Sequence, residues 1–207
     1  LGDKTLKTIV VWAHPREDSL TGKVASDAID ELQSLGHDLT VVDLYRSAFE
    51  PILREPDEPD WENLDKEYSP DVMEHIKEYG QADSVVFVFP VWWYSFPALM
   101  KGYVDRVWNH GYFYGGGRRI GFERVLWVAL AGDTQEAFAK RNYDEMMERY
   151  LNVGIAQYCG AKHSEVEFLY NTLAEGVADM SFHVSSLRSQ ARRAVQRVVA
   201  FADVTSV

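Results

Sequence analysis

The chain of 207 residues contains a single cysteine, Cys159. One thiol excludes an internal disulfide framework and a Cys-based zinc site. Basic residues are scarce as well: 21 Lys and Arg stand against 32 Asp and Glu, for a formal net charge of −11. That deficit argues against the phosphate-neutralising surface of a nucleic-acid binder, and against electrostatic attachment to anionic lipid. No apolar run approaches the roughly 20 residues of a membrane span, and Leu1-Gly2-Asp3-Lys4 does not read as a signal peptide. The expectation is a cytoplasmic protein with no membrane insertion and no nucleic-acid partner. Missing motifs narrow the chemistry further. There is neither a GxGxxG run nor a Walker A loop, which disfavours a Rossmann dinucleotide site and a P-loop NTPase. Without GxSxG there is no serine-hydrolase elbow. His37, His75, His110, His163 and His183 are scattered without ligand spacing, so no metal is expected. Cys159, between Tyr158 and Gly160, reads as a core thiol.

What is present is ordinary globular material, 46% hydrophobic and 26% charged, with an unusual aromatic load of 6 Trp, 11 Tyr and 10 Phe. The length fits one domain spanning 1–207, without repeats, low-complexity tracts or linkers. Strand-like and helix-like segments alternate. Thr8–Ala13, Leu39–Leu44, Ser84–Phe89 and Val125–Leu130 are short apolar or β-branched runs of the kind buried in a parallel sheet. Glu165–Leu169 reads as a short fifth strand. Leu20, Val24, Ala28, Leu32 and Leu35 line one helical face, with Gly36 as a stop. Helical spacing recurs over Asp71–Gly80, after Pro97, through 135–158, and from Val184 to Val198. A Pro-rich, acidic connection from Tyr45 to Pro70 exceeds ordinary loop length. The pattern predicts an α/β, doubly wound five-stranded parallel sheet with helices on both faces.

Ligands of such sheets sit beyond the carboxyl ends of the strands. After the first strand, His14-Pro15-Arg16-Glu17-Asp18-Ser19-Leu20-Thr21 leads into a helix. Free amides and short hydroxyls there suit a phosphate, while Asp18 or Ser19 serves equally well as a simple N-cap. After the third strand, Pro90-Val91-Trp92-Trp93-Tyr94-Ser95-Phe96-Pro97 packs four aromatics into one turn. They suit the wall of a flat conjugated ligand, or packing against another surface. After the fourth strand, Ala131-Gly132-Asp133 lets backbone approach a ligand closely. Gly115-Gly116-Gly117-Arg118-Arg119 follows no strand and reads as a loop tip. A receiver domain is set aside, since His14 and Pro90 occupy the positions where it needs acids.

Taken together, His14-Pro15, Ser19 and Thr21, then Phe89-Pro90-x-x-Trp93-Tyr94-Ser95-x-Pro97-Ala98-x-x-Lys101-Gly102-x-x-Asp105-Arg106-Val107, resemble the NAD(P)H:quinone oxidoreductases of the flavodoxin-like fold. That family includes DT-diaphorase and the ancillary reductases of bacterial potassium-efflux systems. Phe49-x-Pro51, Ser69-Pro70-Asp71-Val72 and Gly111-Tyr112-Phe113-Tyr114 also match, so the resemblance runs from about residue 8 to 170. It implies that His14, Asp18, Ser19, Leu20 and Thr21 hold the phosphate end of a flavin. It implies that Pro90, Val91, Trp92, Trp93 and Tyr94 lie against the isoalloxazine, and that Leu130, Ala131, Gly132 and Asp133 reach its pyrimidine edge. Tyr112, Phe113 and Tyr114 resemble an aromatic lid over the nicotinamide or quinone, usually lent by a partner subunit, and Phe138 stands where many relatives place a substrate-side Tyr. The chain departs from the family at Ala129-Leu130-Ala131-Gly132, which lacks the usual Thr hydroxyls, and at Phe138. Asn142 and Tyr143 occupy the neighbourhood of the family's partner His, so no catalytic acid or base is assigned.

The resemblance implies a homodimeric flavoenzyme that passes a hydride from NAD(P)H through the flavin to a quinone or other aromatic acceptor, in a ping-pong cycle. FAD is expected over FMN, because the long Arg54–Pro70 connection is like that of FAD-binding members; Trp92-Trp93-Tyr94-Ser95 and Asn109-His110-Gly111-Tyr112 look like FMN-binding ones. Two other readings stand beside it. One is a non-enzymatic electron carrier, whose basic partner the net charge of −11 would suit. The other is a flavin-bound regulatory subunit of a potassium-efflux transporter.

Overall fold

The computed structural model describes residues 5–119 and 121–200, so Leu1-Gly2-Asp3-Lys4 and the extreme C-terminus of the expected 1–207 domain lie outside the described residues. Five strands form one sheet: β1 (Lys7–Trp12), β2 (Asp38–Asp43), β3 (Ser84–Pro90), β4 (Arg124–Leu130) and β5 (His163–Leu169). All neighbours pair in parallel, in the order β2-β1-β3-β4-β5. This is the flavodoxin-like order, whose switch point lies between β1 and β3. β3 and β4 are buried almost throughout, as their unbroken apolar runs demand. β5 begins two residues earlier than its apolar pattern indicates, because its amino half is a half-exposed edge whose Glu165 and Glu167 pair with Arg197 of the C-terminal helix instead of joining the apolar core.

Side chains leave a strand on alternate faces, which divides the core in two. Ile9, Val11, Val85, Phe87, Phe89 and Trp127 face α2 (Pro70–Tyr79), α3 (Ala98–Val107) and α5 (Tyr143–Glu148). Val10, Trp12, Val86, Val88, Leu126 and Val128 face α1 (Leu20–Ser34) and α6 (Met180–Ala200). The short α4 (Gln135–Ala139) precedes α5, and α5 runs on into a π-helical segment, Arg149–Gln157. Among the described residues no helix is long and apolar enough to cross a membrane.

Two buried ionic anchors fix the periphery. Asp57, in the 45–69 connection, takes Arg106 of α3 on one carboxylate oxygen, from Nε at 2.9 Å and Nη2 at 2.7 Å. The Ser69 amide donates to its other oxygen at 2.7 Å. On the opposite face, Asp27 of α1 receives Arg188 and Arg192 of α6. Both carboxyls lie below the usual range. Burial pushes each upward, but the hydrogen bonds outweigh it, from Arg188 and Arg192 at Asp27, and from Ser69 and Arg106 at Asp57.

Candidate functional site

The site starts where β1 stops. Pro15 has no amide hydrogen and cannot extend the strand, so the chain turns over the sheet edge. The His14 ring accepts a hydrogen bond from the Arg16 amide at 3.0 Å. Ser19 then caps α1, its hydroxyl accepting from the Gly22 amide at 3.1 Å. A Cβ on Gly22 would stand 1.9 Å from the Glu17 carbonyl oxygen, so only glycine lets the loop fold this tightly onto the helix. The first amides of a 15-residue helix therefore open beside His14, where the helix dipole favours negative charge.

At the end of β3 the Val91 amide donates to Leu130 at 2.8 Å. Trp92 and Ser95 then exchange backbone hydrogen bonds of 3.0 and 3.2 Å around a two-residue turn. Both central residues are left-handed, Trp93 at φ +53° and Tyr94 at φ +56°. Tight turns of this kind ordinarily carry Asn-Gly, and each bulky residue held there costs roughly 1–2 kcal/mol. The result is a Trp93 side chain 94% exposed to solvent. Strain of this sort collects at functional sites. Tyr94 stacks on Tyr143 with centroids 3.7 Å apart and planes inclined by 25°. The Tyr94 hydroxyl has its pKa raised above the ordinary value, chiefly by the neighbouring Tyr143.

The carboxyl ends of β1, β3 and β4 enclose a cavity of about 370 Å³. His14, Ser19, Leu20, Thr21, Pro90, Val91, Trp92, Leu130 and Gly132 line it, all of them expected from sequence. Asp18, Trp93, Tyr94, Ala131 and Asp133 belong to the same loops without lining the cavity itself. Arg16, Thr172 and Leu173 line it too and were missed. The signal for the last two was their place just beyond β5, the strand with the weakest apolar pattern. A Cβ on Gly132 would sit 3.2 Å from Leu173 Cδ1, so the glycine keeps this wall open. A larger cavity of about 530 Å³ lies between α4, β5 and α6, lined among others by Glu136, Glu167, His183 and Gln190. It touches neither the β1 nor the β3 loop and lies away from the switch point.

The expected substrate-face residues lie elsewhere. Phe113 is 2% exposed and stacks on Trp108 at 5.3 Å. Tyr112 meets Tyr68 edge-on, and Tyr114 sits among Trp61, His110 and Tyr158. None of the three lines the cavity of its own chain. Phe138 is 3% exposed, behind Tyr94 and Tyr143. Its apolar ring joins the core because it has no hydroxyl to keep near solvent. Arg118 donates to the Leu64 and Gly111 carbonyls and pairs with Asp65, closing the glycine-rich loop onto the long connection. Burial pushes the Cys159 thiol up to about 12, which keeps it protonated and inert at neutral pH. Among the described residues no group of three or more His, Cys, Asp or Glu is arranged to hold a metal ion.

The cavity joins two chemistries. One end is anion-favouring, with a helix start, hydroxyls and an Arg; the other is flat, apolar and aromatic. A phosphate-bearing planar cofactor fits both ends, and the glycine at 132 leaves room along one wall.

The family described as flavodoxin-like fold matches the chain over residues 6–196. The chain is 43% identical over 184 residues to the uncharacterised NAD(P)H oxidoreductase YcaK of Escherichia coli (strain K12), spanning 88% of this chain and 93% of that protein. It is 31% identical over 180 residues to human ribosyldihydronicotinamide dehydrogenase (quinone), spanning 75% and 78%. Among solved structures it is similar to the NAD(P)H:quinone oxidoreductase from Methanothermobacter marburgensis, with a TM-score of 0.84 and 29% identity over 94% of this chain and 97% of that one.

Proposed function

Because the chain belongs to the flavodoxin-like fold family, we propose that it is a flavin-dependent NAD(P)H oxidoreductase whose acceptor is a quinone or a similar aromatic compound. The observation that carries this is the cavity at the β1/β3 switch point, anion-favouring at His14–Thr21 and flat at Pro90–Trp92. The relatives named as NAD(P)H oxidoreductases and quinone dehydrogenases support it.

A bound flavin supplies the hydride-accepting ring. The chain supplies place and environment. Ser19, Thr21 and the first amides of α1 would hold the phosphate; Asp18 and Leu20 flank them, and the His14 ring closes the loop above. The backbone of Pro90, Val91 and Trp92 would line the long side of the ring, with Leu130, Ala131, Gly132 and Asp133 at its pyrimidine edge. Trp93 and Tyr94 stand at the rim, where a planar donor and a planar acceptor would stack in turn. One rim serving both makes the cycle ping-pong. The apolar walls at Pro90, Val91 and Leu130 would keep water from the ring and strengthen the backbone dipoles around it. FAD rather than FMN is the proposed form, on the strength of the long 45–69 connection.

One experiment tests the reading. Chromophore released by heat from the purified protein should have the mass of FAD. The loaded protein should oxidise NADH or NADPH with a quinone, and stopped-flow mixing with NAD(P)H alone should bleach it. A colourless protein that cannot be loaded, or a flavoprotein bleached only by a separate reductase, overturns the proposal; the second outcome would identify an electron carrier.

A further inference from the structure

Arg46 lies just after β2, outside every strand-end loop that lines the cavity, yet it reaches back to the loop that matters most. Its guanidinium stacks over the Trp12 ring with Cζ 4.8 Å from the centroid. Nη2 donates to the His14 carbonyl at 2.5 Å and Nη1 to the Pro15 carbonyl at 3.4 Å. Nε donates to the Asp43 carboxylate, which also accepts the Arg46 and Tyr45 amides at 3.1 Å on its other oxygen. One planar fork thus ties the end of β2 to the turn after β1.

We propose that Arg46 is a positioning residue that sets the affinity of the His14–Thr21 loop for a phosphate group. The physical need is clear from the sequence. His14 and Pro15 leave the sheet, so their carbonyls lose the partners a longer strand would give them. A free carbonyl beside the α1 N-terminus would present its negative end to an incoming anion and offset the helix dipole. Arg46 turns the two carbonyls onto itself and fixes the loop, which leaves the His14 ring and Arg16 lining the cavity. Asp43 balances the guanidinium charge, so the role rests on geometry rather than on net charge. Lysine cannot fill it: an ammonium is a point donor without the fork that holds Asp43 and two carbonyls together.

This inference rests on the flavin reading above, and its test separates the two. Full-length protein stripped of flavin is titrated with FAD, with FMN and with riboflavin, which lacks the phosphate, and binding is followed by the change in flavin fluorescence. In Arg46→Ala the affinity for FAD and FMN, which carry phosphate, should fall by about tenfold to a hundredfold, the range for an unsatisfied polar group, while riboflavin affinity changes by less than about threefold. Arg46→Lys keeps the charge and should fall with Arg46→Ala. Its thermal unfolding checks that it is folded, so the comparison stands even where Arg46→Ala does not fold. Equal weakening of the phosphate-bearing flavins and riboflavin, restoration of FAD or FMN affinity by lysine, or no change in either variant overturns the assignment of Arg46. Wild-type protein that binds none of FAD, FMN and riboflavin overturns the functional reading and this inference with it.

Discussion

Trp93 concentrates the conflict between stability and use at a single position. The side chain is almost fully exposed, so it contributes little burial, and its left-handed backbone costs free energy. Asparagine tolerates that conformation without the extra unfolded-state freedom of glycine. Trp93→Asn should therefore stabilise the protein by about 1 kcal/mol, read from denaturant unfolding. The same change removes the outermost aromatic surface of the rim and should raise the KM for a quinone several-fold. A variant less stable than wild type would show that Trp93 packs in a way its exposure does not reveal. Tyr94 is a poorer choice for this test, because its stack on Tyr143 would be lost together with the strain.

At the scale of elements, the two buried carboxylates make separate predictions. Asp57 is the anchor of the 45–69 connection, and Asp57→Asn leaves the buried Arg106 guanidinium with the half-exposed Asp71 as its remaining counter-charge. The expected cost is about 2 kcal/mol, that of a buried group losing a hydrogen-bond partner, with limited proteolysis moving into residues 45–69. Asp27 and Asp57 together shape the acid limb. Each has its carboxyl held below its unfolded value, so each adds stability that is present above roughly pH 4 and is lost as pH falls through the folded value. Urea unfolding between pH 7 and pH 3 should show this loss, and Asp27→Asn with Asp57→Asn should flatten it. Neither anchor was legible in the sequence, since the partners are 49 and 161 residues apart and nothing local marks them. The sheet was legible because β1, β3 and β4 are unbroken apolar runs that tolerate one reading. Within 135–158 the helical spacing was correct, but the break at left-handed Asn142 and the π-helical stretch leave no signature in a 3.6-residue period. At the site, the loops after β1, β3 and β4 announced themselves by composition. The loop after β5 did not, and Thr172 and Leu173 were lost with it.

Taken as a whole molecule, the chain keeps its two aromatic segments apart. Trp92 borders the cavity, while Tyr112, Phe113 and Tyr114 pack beside Tyr68, Trp108, Trp61 and Tyr158. A lid formed by the second segment would therefore have to cover the cavity of a second copy. Exposed Trp61, Tyr158 and Val153 give that region the apolar surface an interface between copies needs. Light scattering at micromolar concentration should accordingly return twice the chain mass. Tyr114→Ala, which removes a half-buried ring from that surface, should raise the quinone KM more than it lowers FMN affinity, because the loops that would hold the flavin belong to the other copy. A monomer that turns over quinone at full rate would show that a single chain completes its own site. The aromatic segment after α3 would then be core packing, and the rim at Trp92 and Trp93 would carry acceptor recognition unaided.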